Sequence, residues 1–319
     1  MAGVLISTAG GLGDLVRTTP LIAVCDALGF PIDLLVEADY SDASALVRDL
    51  PGVRRLFRHR SRWTGAGAID VSGIERETYD VAICTAFTSP TGLVRTKRWL
   101  LFDRDGWLRE GDIASVRRVV AELGWVGALP PPRVVPSSRR FNLAPGTVAL
   151  HPGCKPNWPW KKWHGFADLA ARLPQVALVG TPTDLDNAYT YFRSTFHWPA
   201  HVKNFIGTLD LPDTAALLSE CSALVSNDSG LMHVGAALGI PTFGIFGITS
   251  PAREAMPVPN MLPVTKGLAC EPECRRGVWG RRDCQFHLEC LRSLTADDVL
   301  AHLAATAPAA LAQPLEPAR

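Results

Sequence analysis

A glycine-rich turn near the N-terminus carries one carboxylate. The apolar run Gly3–Thr8 predicts a strand, and Ala-Gly-Gly-Leu-Gly-Asp follows it at 9–14, before a helical pattern begins. Gly11 and Gly13 allow the backbone to turn tightly and approach a ligand closely, and amides at the start of a helix can receive an anion. Asp14 has two interpretations, a helix N-cap and a general base.

The glycine spacing disfavours a dinucleotide-binding fingerprint. That motif requires a third glycine three residues after the second, but Val16 follows Gly13 at that distance. Asp14 would also place a negative charge near a bound pyrophosphate. A Rossmann oxidoreductase is therefore a weak alternative.

A lysine pair follows a strand predicted in the second half of the chain. Residues 151–163 read His-Pro-Gly-Cys-Lys-Pro-Asn-Trp-Pro-Trp-Lys-Lys-Trp, with the pair at Lys161 and Lys162. A lysine at a strand-to-helix turn suits phosphate binding as a point charge beside helix amides. The alternative is a solvated basic loop with aromatic packing.

A dense polar group interrupts a charge-poor stretch further along the chain. Asp228, Ser229 and His233 lie between a predicted strand and a predicted helix, with Gly230 among them. Either Asp228 or Ser229 could be the helix N-cap, and His233 alone would be an ordinary core histidine. Because buried polar groups need partners, a bound ligand is the functional interpretation of the group.

The elements that must position these residues alternate between strand and helix. Such alternation predicts parallel βαβ units and a doubly wound α/β fold. We predict strands at Gly3–Thr8, Ile32–Glu37, Val53–Phe57, Tyr79–Thr85, Thr147–Leu150, Gln175–Gly180, His201–Ile206, Ala223–Ser226 and Thr242–Phe246. We predict helices at Leu15–Leu28, Ser41–Asp49, Ile113–Leu123, Trp163–Leu173, Asp184–Phe196, Asp213–Cys221, Ser229–Leu238 and Ala296–Ala305.

A proline-rich segment divides the pattern in two. Pro130, Pro131, Pro132 and Pro136 mark a linker, after which the alternation restarts. We expect domains at 1–140 and 141–306, with a disordered Ala- and Pro-rich tail at 307–319. Ligands bind at the carboxyl ends of parallel strands, so the natural site of a two-domain version is the cleft between the halves.

Composition and charge exclude several classes of protein. Apolar residues make up 47% of the 319 residues, and 32 basic residues nearly balance 31 acidic ones. A nucleic-acid-binding protein usually has a basic excess, so none is expected here. The sequence shows no secretory signal, and its longest charge-free run, 229–252, divides into a helical half and a strand half. We expect a cytoplasmic protein with at most peripheral membrane contact.

Four cysteines cluster near the C-terminus, at Cys270, Cys274, Cys284 and Cys290. Four thiols within about twenty residues could hold Zn²⁺ or iron tetrahedrally. Neighbouring arginines favour thiolates. The alternatives are unpaired thiols or two disulfides, and His287 could replace one ligand.

Five segments together resemble glycosyltransferase family 9, which includes the lipopolysaccharide heptosyltransferases. They occur in the family's order along nearly the whole chain. They are Gly11–Pro20, His151–Gly153 with Trp158–Trp163, Asn204–Leu209, Ser226–His233 and Phe246–Pro251. The resemblance is weak in the N-terminal half after Pro20, so it does not identify the acceptor.

The resemblance implies a GT-B fold, with the acceptor bound mainly by the N-terminal half and the donor by the C-terminal half. It also implies inverting transfer from ADP-heptose, with Asp14 as general base and Lys161 on the phosphates. Its donor-binding residues correspond to Gly11, Gly13, Thr208, Asp228, Ser229, Gly230 and His233 here. If Lys161 and the helix amides offset the charge of the departing diphosphate, catalysis is expected to need no metal. The autotransporter-heptosyltransferase branch implies a structural iron site at the cysteines.

Other functions and several acceptors stay open on the sequence. A nucleotide-sugar epimerase would isomerise the donor without an acceptor, and a non-catalytic nucleotide- or metal-binding module would tolerate loss of Asp14. The acceptor of a transferase could be a lipopolysaccharide core, a protein side chain or a small natural product.

Overall fold

The computed structural model describes residues 3–8, 11–38, 43–60, 71, 73–85, 90–102, 110–155, 158–185, 197–270, 284, 286–308 and 311. The chain divides into two compact units, residues 1–135 and 136–319. The division falls between Val135 and Pro136, inside the segment that the prolines mark as a linker. In the described part of the chain, no helix has the length and apolar character needed to cross a bilayer.

The N-terminal unit contains a five-stranded parallel sheet with helices beside it. Its strands follow the order β3-β2-β1-β5-β7, and β4 and β6 form a separate two-stranded ladder. Val4–Thr8 is buried throughout, as expected for a central strand of a parallel sheet. The elements are β1 (Val4–Thr8), α1 (Leu12–Ala27), β2 (Ile32–Ala38), β3 (Val53–Arg60), β4 (Thr78–Tyr79), β5 (Val81–Cys84), β6 (Arg95–Thr96), β7 (Trp99–Leu101) and α2 (Asp112–Glu122).

Helix α1 contains a proline, and a threonine next to it compensates for the missing amide. Pro20 has no N–H to donate to the carbonyl of Val16 four residues earlier. The Thr19 hydroxyl donates to that carbonyl instead, at 2.7 Å. The same hydroxyl accepts a hydrogen bond from the Arg133 backbone amide at 3.0 Å. This bond holds the end of the N-terminal unit against α1.

The C-terminal unit contains a six-stranded parallel sheet. Its strands follow the order β10-β9-β8-β11-β12-β13, and its core includes Trp163, Phe166 and Phe243. The strands are β8 (Val148–His151), β9 (Val176–Leu178), β10 (Val202–Asn204), β11 (Ala223–Asn227), β12 (Thr242–Ile245) and β13 (Met261–Val264). The helices are α3 (Phe166–Arg172), α4 (Leu211–Ser219), α5 (Gly230–Ala237), α6 (Pro251–Glu254), α7 (Glu289–Arg292) and α8 (Ala296–Thr306).

Hydrogen bonds tie each side of the linker to its own unit. The Val135 amide donates to Leu46 in the N-terminal unit at 2.8 Å. The Ser137 amide donates to Pro212 in the C-terminal unit at 3.0 Å, and the Ser137 hydroxyl donates to Asp213. Pro136 is therefore the residue at which the backbone bonding changes from one unit to the other.

Several predicted elements differ from those observed. The strand predicted at Tyr79–Thr85 is two strands, β4 and β5, in different sheets. The sequence pattern does not indicate β13 or the short strands β6 and β7. Of the helix predicted at Asp184–Phe196, the structure shows a 3₁₀ turn at Pro182–Leu185, and residues 186–196 lie outside the described residues.

The start of the predicted disordered tail packs against the core. Ala307 is buried, and Leu311 contacts the C-terminal hydrophobic cluster. Residues 309, 310 and 312–319 lie outside the described residues.

Candidate active site

The carboxyl ends of β8 and β11 bring two polar loops together. The two strands are hydrogen-bonded neighbours, with Ser226 opposite His151. The buried Asn227 side chain links the loops that follow them: its carbonyl accepts the Trp163 amide at 3.0 Å, and its amide donates to Pro152 at 2.7 Å. Asn227 therefore holds the lysine loop of 151–163 beside the Asp228 loop.

Lys161, Asp228 and Thr249 form the charged centre of this edge. The Lys161 ammonium donates to Asp228 Oδ2 at 2.6 Å, and the Thr249 hydroxyl donates to the same oxygen at 2.7 Å. Burial alone would raise the pKa of Asp228, but Lys161 and the bond from Thr249 hold this pKa below its usual value. Burial opposes the charge on Lys161, yet Asp228 and Glu254 raise the Lys161 pKa. Both groups are ionised at neutral pH.

The two lysines of the predicted pair have different environments. The Lys161 ammonium also lies 5.2 Å from the centre of the Trp158 ring, within the range of a cation–π contact. Lys162 is buried, and its ammonium donates to the Asp184 carbonyl at 3.0 Å. The solvated-loop interpretation of the pair is therefore wrong, because Lys161 belongs to the charged centre and Lys162 supports the loop.

Ser229 occupies the N-cap position of α5, but its side chain makes no capping hydrogen bond. Its hydroxyl lies 3.0 Å from His151 Nδ1 and 3.2 Å from the Ser226 hydroxyl. Asp228 bonds Lys161 and Thr249 instead. Neither side chain thus caps α5 in the described structure, and Gly230 begins the helix directly beside Asp228. Amides in a first helical turn lack intrahelical partners and suit an anion.

A buried carboxylate lies behind His151. Asp184 Oδ2 is 3.5 Å from His151 Nε2 and accepts the Thr181 amide at 2.6 Å. Burial raises the pKa of Asp184, but these hydrogen bonds lower it overall. A Cβ atom at Gly153 or Gly180 would collide with this carboxylate, so both glycines are needed for space. The arrangement supports His151 from the side opposite Ser229.

Two other predicted donor residues lie at different distances from the centre. His233 is buried on α5, and its positive charge would contribute to lowering the pKa of Asp228. Thr208 is exposed in a turn after β10, where its hydroxyl donates to Phe205. Strand β10 is three positions from β11 in the sheet, which is about 14 Å at the usual strand spacing. The structure therefore groups His233 with Asp228 and leaves Thr208 apart.

In the N-terminal unit, Asp14 is not the helix N-cap. Gly11 is the N-cap of α1, Gly13 is the second residue of the helix, and Asp14 is the third. The Asp14 carboxylate is partly exposed and forms an ion pair with Arg17 at 2.7 Å. The capping interpretation is wrong because the helix begins two residues earlier than Asp14.

Several residues that complete these sites were not predicted from the sequence. Thr249 lies in the polar loop after β12, and that loop's position at a strand end was the available signal. Arg17 is one helical turn after Asp14, a spacing that favours an ion pair. Asp112 contacts Arg17, but no local feature of the sequence indicates that contact, because the two residues are far apart in the chain.

The cysteine cluster is described only in part. Cys290 is buried in the C-terminal core, Cys270 and Cys284 are partly exposed, and Cys274 lies outside the described residues. The Leu288 amide donates to Cys284 Sγ at 3.4 Å. Within the residues that are described, no three metal-binding side chains group together.

Comparison with known proteins identifies the C-terminal motifs. Residues 141–277 match the sequence profile of glycosyltransferase family 9 (heptosyltransferase). Lipopolysaccharide heptosyltransferase 2 of Escherichia coli K12 is 35% identical over 100 residues, which are 29% of this chain and 29% of that protein. The chain is similar to glycosyltransferase family 9 over residues 141–277. It matches that curated relative over less than a third of the relative's length.

Solved heptosyltransferase structures share the fold of this chain. The structure of E. coli ADP-heptose lps heptosyltransferase II aligns with 95% of this chain over 98% of its own length. The TM-score is 0.65 at 20% sequence identity. The iron-containing dodecameric heptosyltransferase TibC of enterotoxigenic E. coli, solved with ADP-D-beta-D-heptose, covers 94% and 74%, with a TM-score of 0.61 at 18% identity. The predicted GT-B fold class is confirmed.

Proposed function

We propose that the protein is an inverting glycosyltransferase that moves heptose from ADP-heptose to a hydroxyl group of an acceptor. The observation that carries this proposal is the charged centre of Lys161, Asp228 and Thr249 beside the first turn of α5. It lies at the carboxyl edge of a parallel sheet, where nucleotides bind in such folds.

The C-terminal unit supplies the groups that a nucleotide diphosphate needs. Lys161 provides a positive charge, and the Gly230 end of α5 provides helix amides that point toward an anion. Asp228 and Ser229 provide oxygen atoms suited to sugar hydroxyls. Lys161 and the helix end then stabilise the charge that develops on the departing diphosphate.

The N-terminal unit supplies the base. Asp14 is partly exposed and forms an ion pair with Arg17, so its carboxylate can accept the proton of an attacking hydroxyl. Attack on the face opposite the leaving diphosphate inverts the anomeric centre. Because Lys161 and the helix amides stabilise the leaving group, the proposed transfer step needs no divalent metal.

The first experiment measures nucleotide-sugar binding by thermal stabilisation, because a ligand that binds only the folded state raises its melting temperature. ADP-heptose should stabilise the protein more than UDP-, GDP- or TDP-sugars. Lys161→Met should lose this stabilisation, whereas Lys155→Met, which changes an exposed lysine of the same loop, should retain it. Stabilisation by another nucleotide sugar alone would overturn the donor.

The second experiment tests the reaction. A lipopolysaccharide core acceptor, a protein mixture and hydroxylated small molecules are each incubated with ADP-heptose and analysed by mass spectrometry. A mass gain of one heptose in one of them, unchanged by EDTA, supports metal-independent transfer, and NMR of the product shows whether the anomeric centre is inverted. Conversion of the donor to an isomer without an acceptor would indicate an epimerase instead.

We also propose a structural Zn²⁺ or iron ion held by Cys270, Cys274, Cys284 and Cys290. The spacing of the four thiols and the hydrogen bond from the Leu288 amide to Cys284 Sγ support this proposal. It is also supported by the iron in TibC, which shares the fold. Elemental analysis of the purified protein should find about one metal ion per chain, and a Cys270→Ser and Cys284→Ser double variant should lose it.

The proposed location is the cytoplasm. The buried thiols of Cys25, Cys154 and Cys221 have pKa values raised to about 12 by burial, so they stay protonated in the core. Single buried thiols are typical of reducing compartments. Fractionation of the native host should recover the protein in its cytosolic fraction.

A further inference from the structure

Arg17 joins two carboxylates in the N-terminal unit. One terminal nitrogen of its guanidinium lies 2.7 Å from Asp14 Oδ1 and 2.8 Å from Asp112 Oδ2. The Arg17 side chain is 7% exposed and that of Asp112 is 4% exposed, whereas Asp14 is 32% exposed. Asp14 is therefore the member of the trio that a substrate can reach.

The trio links two helices at a defined point. Asp14 and Arg17 are one turn apart near the start of α1, and Asp112 is the first residue of α2. A carboxylate in the first turn of a helix is favoured by the helix dipole, so the position of Asp112 supports its ionised form. A buried guanidinium also requires a charged partner. Asp112 meets that requirement whether or not Asp14 carries its charge.

The two carboxylates affect each other through Arg17. A guanidinium beside a single carboxylate favours its charged form strongly and makes it a weak base. A second carboxylate on the same guanidinium offsets part of that effect, because like charges oppose ionisation. With Asp112 present, Asp14 is held in one orientation by Arg17 and yet keeps more affinity for a proton.

We propose that Arg17 and Asp112 are positioning residues that orient the Asp14 carboxylate and set its basicity in opposite directions. The proposal rests on the proposed role of Asp14 as the general base. Arg17 makes the carboxylate less basic, and Asp112 makes it more basic. Neither residue touches the substrate in this arrangement, because both are buried.

Strands β1 and β2 also pack on α1. Strand β1 contains no ionisable side chain, and Asp33 on β2 is bonded to Arg54, Arg55 and Tyr79. Cys25, further along α1, has its pKa raised to about 12 by burial and is neutral. Arg17 and Asp112 are the charged side chains on which the proposal rests.

The test titrates the Asp14 carboxyl carbon by ¹³C NMR in the full chain, with the signal assigned by its absence in Asp14→Asn. This measurement needs neither donor nor acceptor. In Asp112→Asn the midpoint should fall by about 1 pH unit, and in Arg17→Met it should rise by about 1 pH unit. In the double variant it should lie between these two values.

Opposite shifts are the result that a purely structural role would not produce. Shifts in the same direction, or midpoints that stay within about 0.3 pH unit of the wild type, overturn the proposal. If Arg17→Met does not fold because Asp112 loses its partner, Asp112→Asn and the double variant give the same comparison, with the double variant expected above Asp112→Asn.

The outcome is separable from the proposed function. If the wild-type protein transfers no sugar but the midpoints move apart, the charge relation stands and the transferase role fails. If transfer occurs and the midpoints do not move, this inference alone fails. With an active acceptor, the acid limb of the pH profile of kcat/KM should move in the same two directions as the midpoints.

Discussion

Each unit of the molecule contains a cation–carboxylate pair at its candidate site. In one pair the carboxylate is the more exposed group, and in the other pair it is the cation. In the N-terminal unit the cation, Arg17, is 7% exposed and the carboxylate, Asp14, is 32% exposed. In the C-terminal unit the carboxylate, Asp228, is 6% exposed and the cation, Lys161, is 18% exposed. One unit thus presents an oxygen base and the other presents a positive charge.

The difference shows how the buried member of a pair determines what the exposed member can do. A buried charge must keep a partner, so it holds the exposed group in place and ionised. An exposed carboxylate held in this way can accept a proton, whereas an exposed ammonium can bind a phosphate. The same kind of contact therefore supports general-base chemistry in one unit and anion binding in the other.

Removal of the exposed carboxylate should have the largest effect on catalysis. Asp14→Asn should lower the rate of heptose transfer by about 10² to 10⁴, the usual contribution of a general base. Stabilisation by ADP-heptose should stay unchanged, because the donor binds the other unit. Asp80→Asn, which also changes a carboxylate paired to a cation in the N-terminal unit, is the control. A loss of less than about tenfold in Asp14→Asn would contradict the general-base role.

Removal of the more exposed cation, Lys161, should weaken binding rather than proton transfer. Lys161→Met should raise the Kd for ADP about 10- to 100-fold, because a charged hydrogen bond to the diphosphate is lost. Isothermal titration calorimetry measures this Kd at a temperature where the variant is folded. Lys155→Met should change it less than about twofold. Equal effects of the two variants would remove Lys161 from the donor site.

Loss of the second donor to Asp228 should have a smaller effect. Thr249→Val removes the hydroxyl at 2.7 Å from Asp228 Oδ2 with little change of shape. The free energy of unfolding should fall by about 1 kcal/mol in urea denaturation, the usual value for one hydrogen bond. Thr208→Val, which changes an exposed turn hydroxyl, should lose less. If Thr208→Val loses as much, Thr249 has no special relation to Asp228.

The smallest effect concerns pH. The pKa of Asp228 is lowered from 3.8, so its charge persists until the pH falls below that value. The pKa of Lys161 is raised from 10.5, so its charge is lost only as the pH rises above that value. The Kd for ADP-heptose should therefore change less than about twofold between about pH 5 and about pH 9. A larger change would show that another group, such as His233, titrates in the donor site.

The sequence predicted the strand–helix alternation well where the pattern was long. Helices α2, α5 and α8 begin and end within two residues of their predicted bounds. Short or isolated strands such as β7 and β13 were missed, because a three- or four-residue apolar run has too little periodicity. The strand predicted at Tyr79–Thr85 divided in two because hydrogen-bond partners, and not composition, assign a strand to a sheet.

The candidate site was likewise predicted from local pattern in part and decided by strand pairing in part. Asp14, Lys161 and Asp228 were recognisable because each lies in a polar loop at a strand end, beside a predicted helix. Thr208 was predicted from the family resemblance, but its strand lies at the edge of the sheet, away from β11. Strand order depends on which strands pair across the whole sheet, so a loop's sequence cannot supply its distance from another loop.

The sequence by itself determined the types of residue at the strand ends and the parallel α/β architecture that places them there, because both follow from local pattern. Only the tertiary structure decided which charges pair. Arg17 meets Asp112 because α1 packs on α2, and Thr249 meets Asp228 because β12 lies beside β11. Ion pairs form over a few ångströms, and residues far apart in the chain come that close only after the helices and strands have packed.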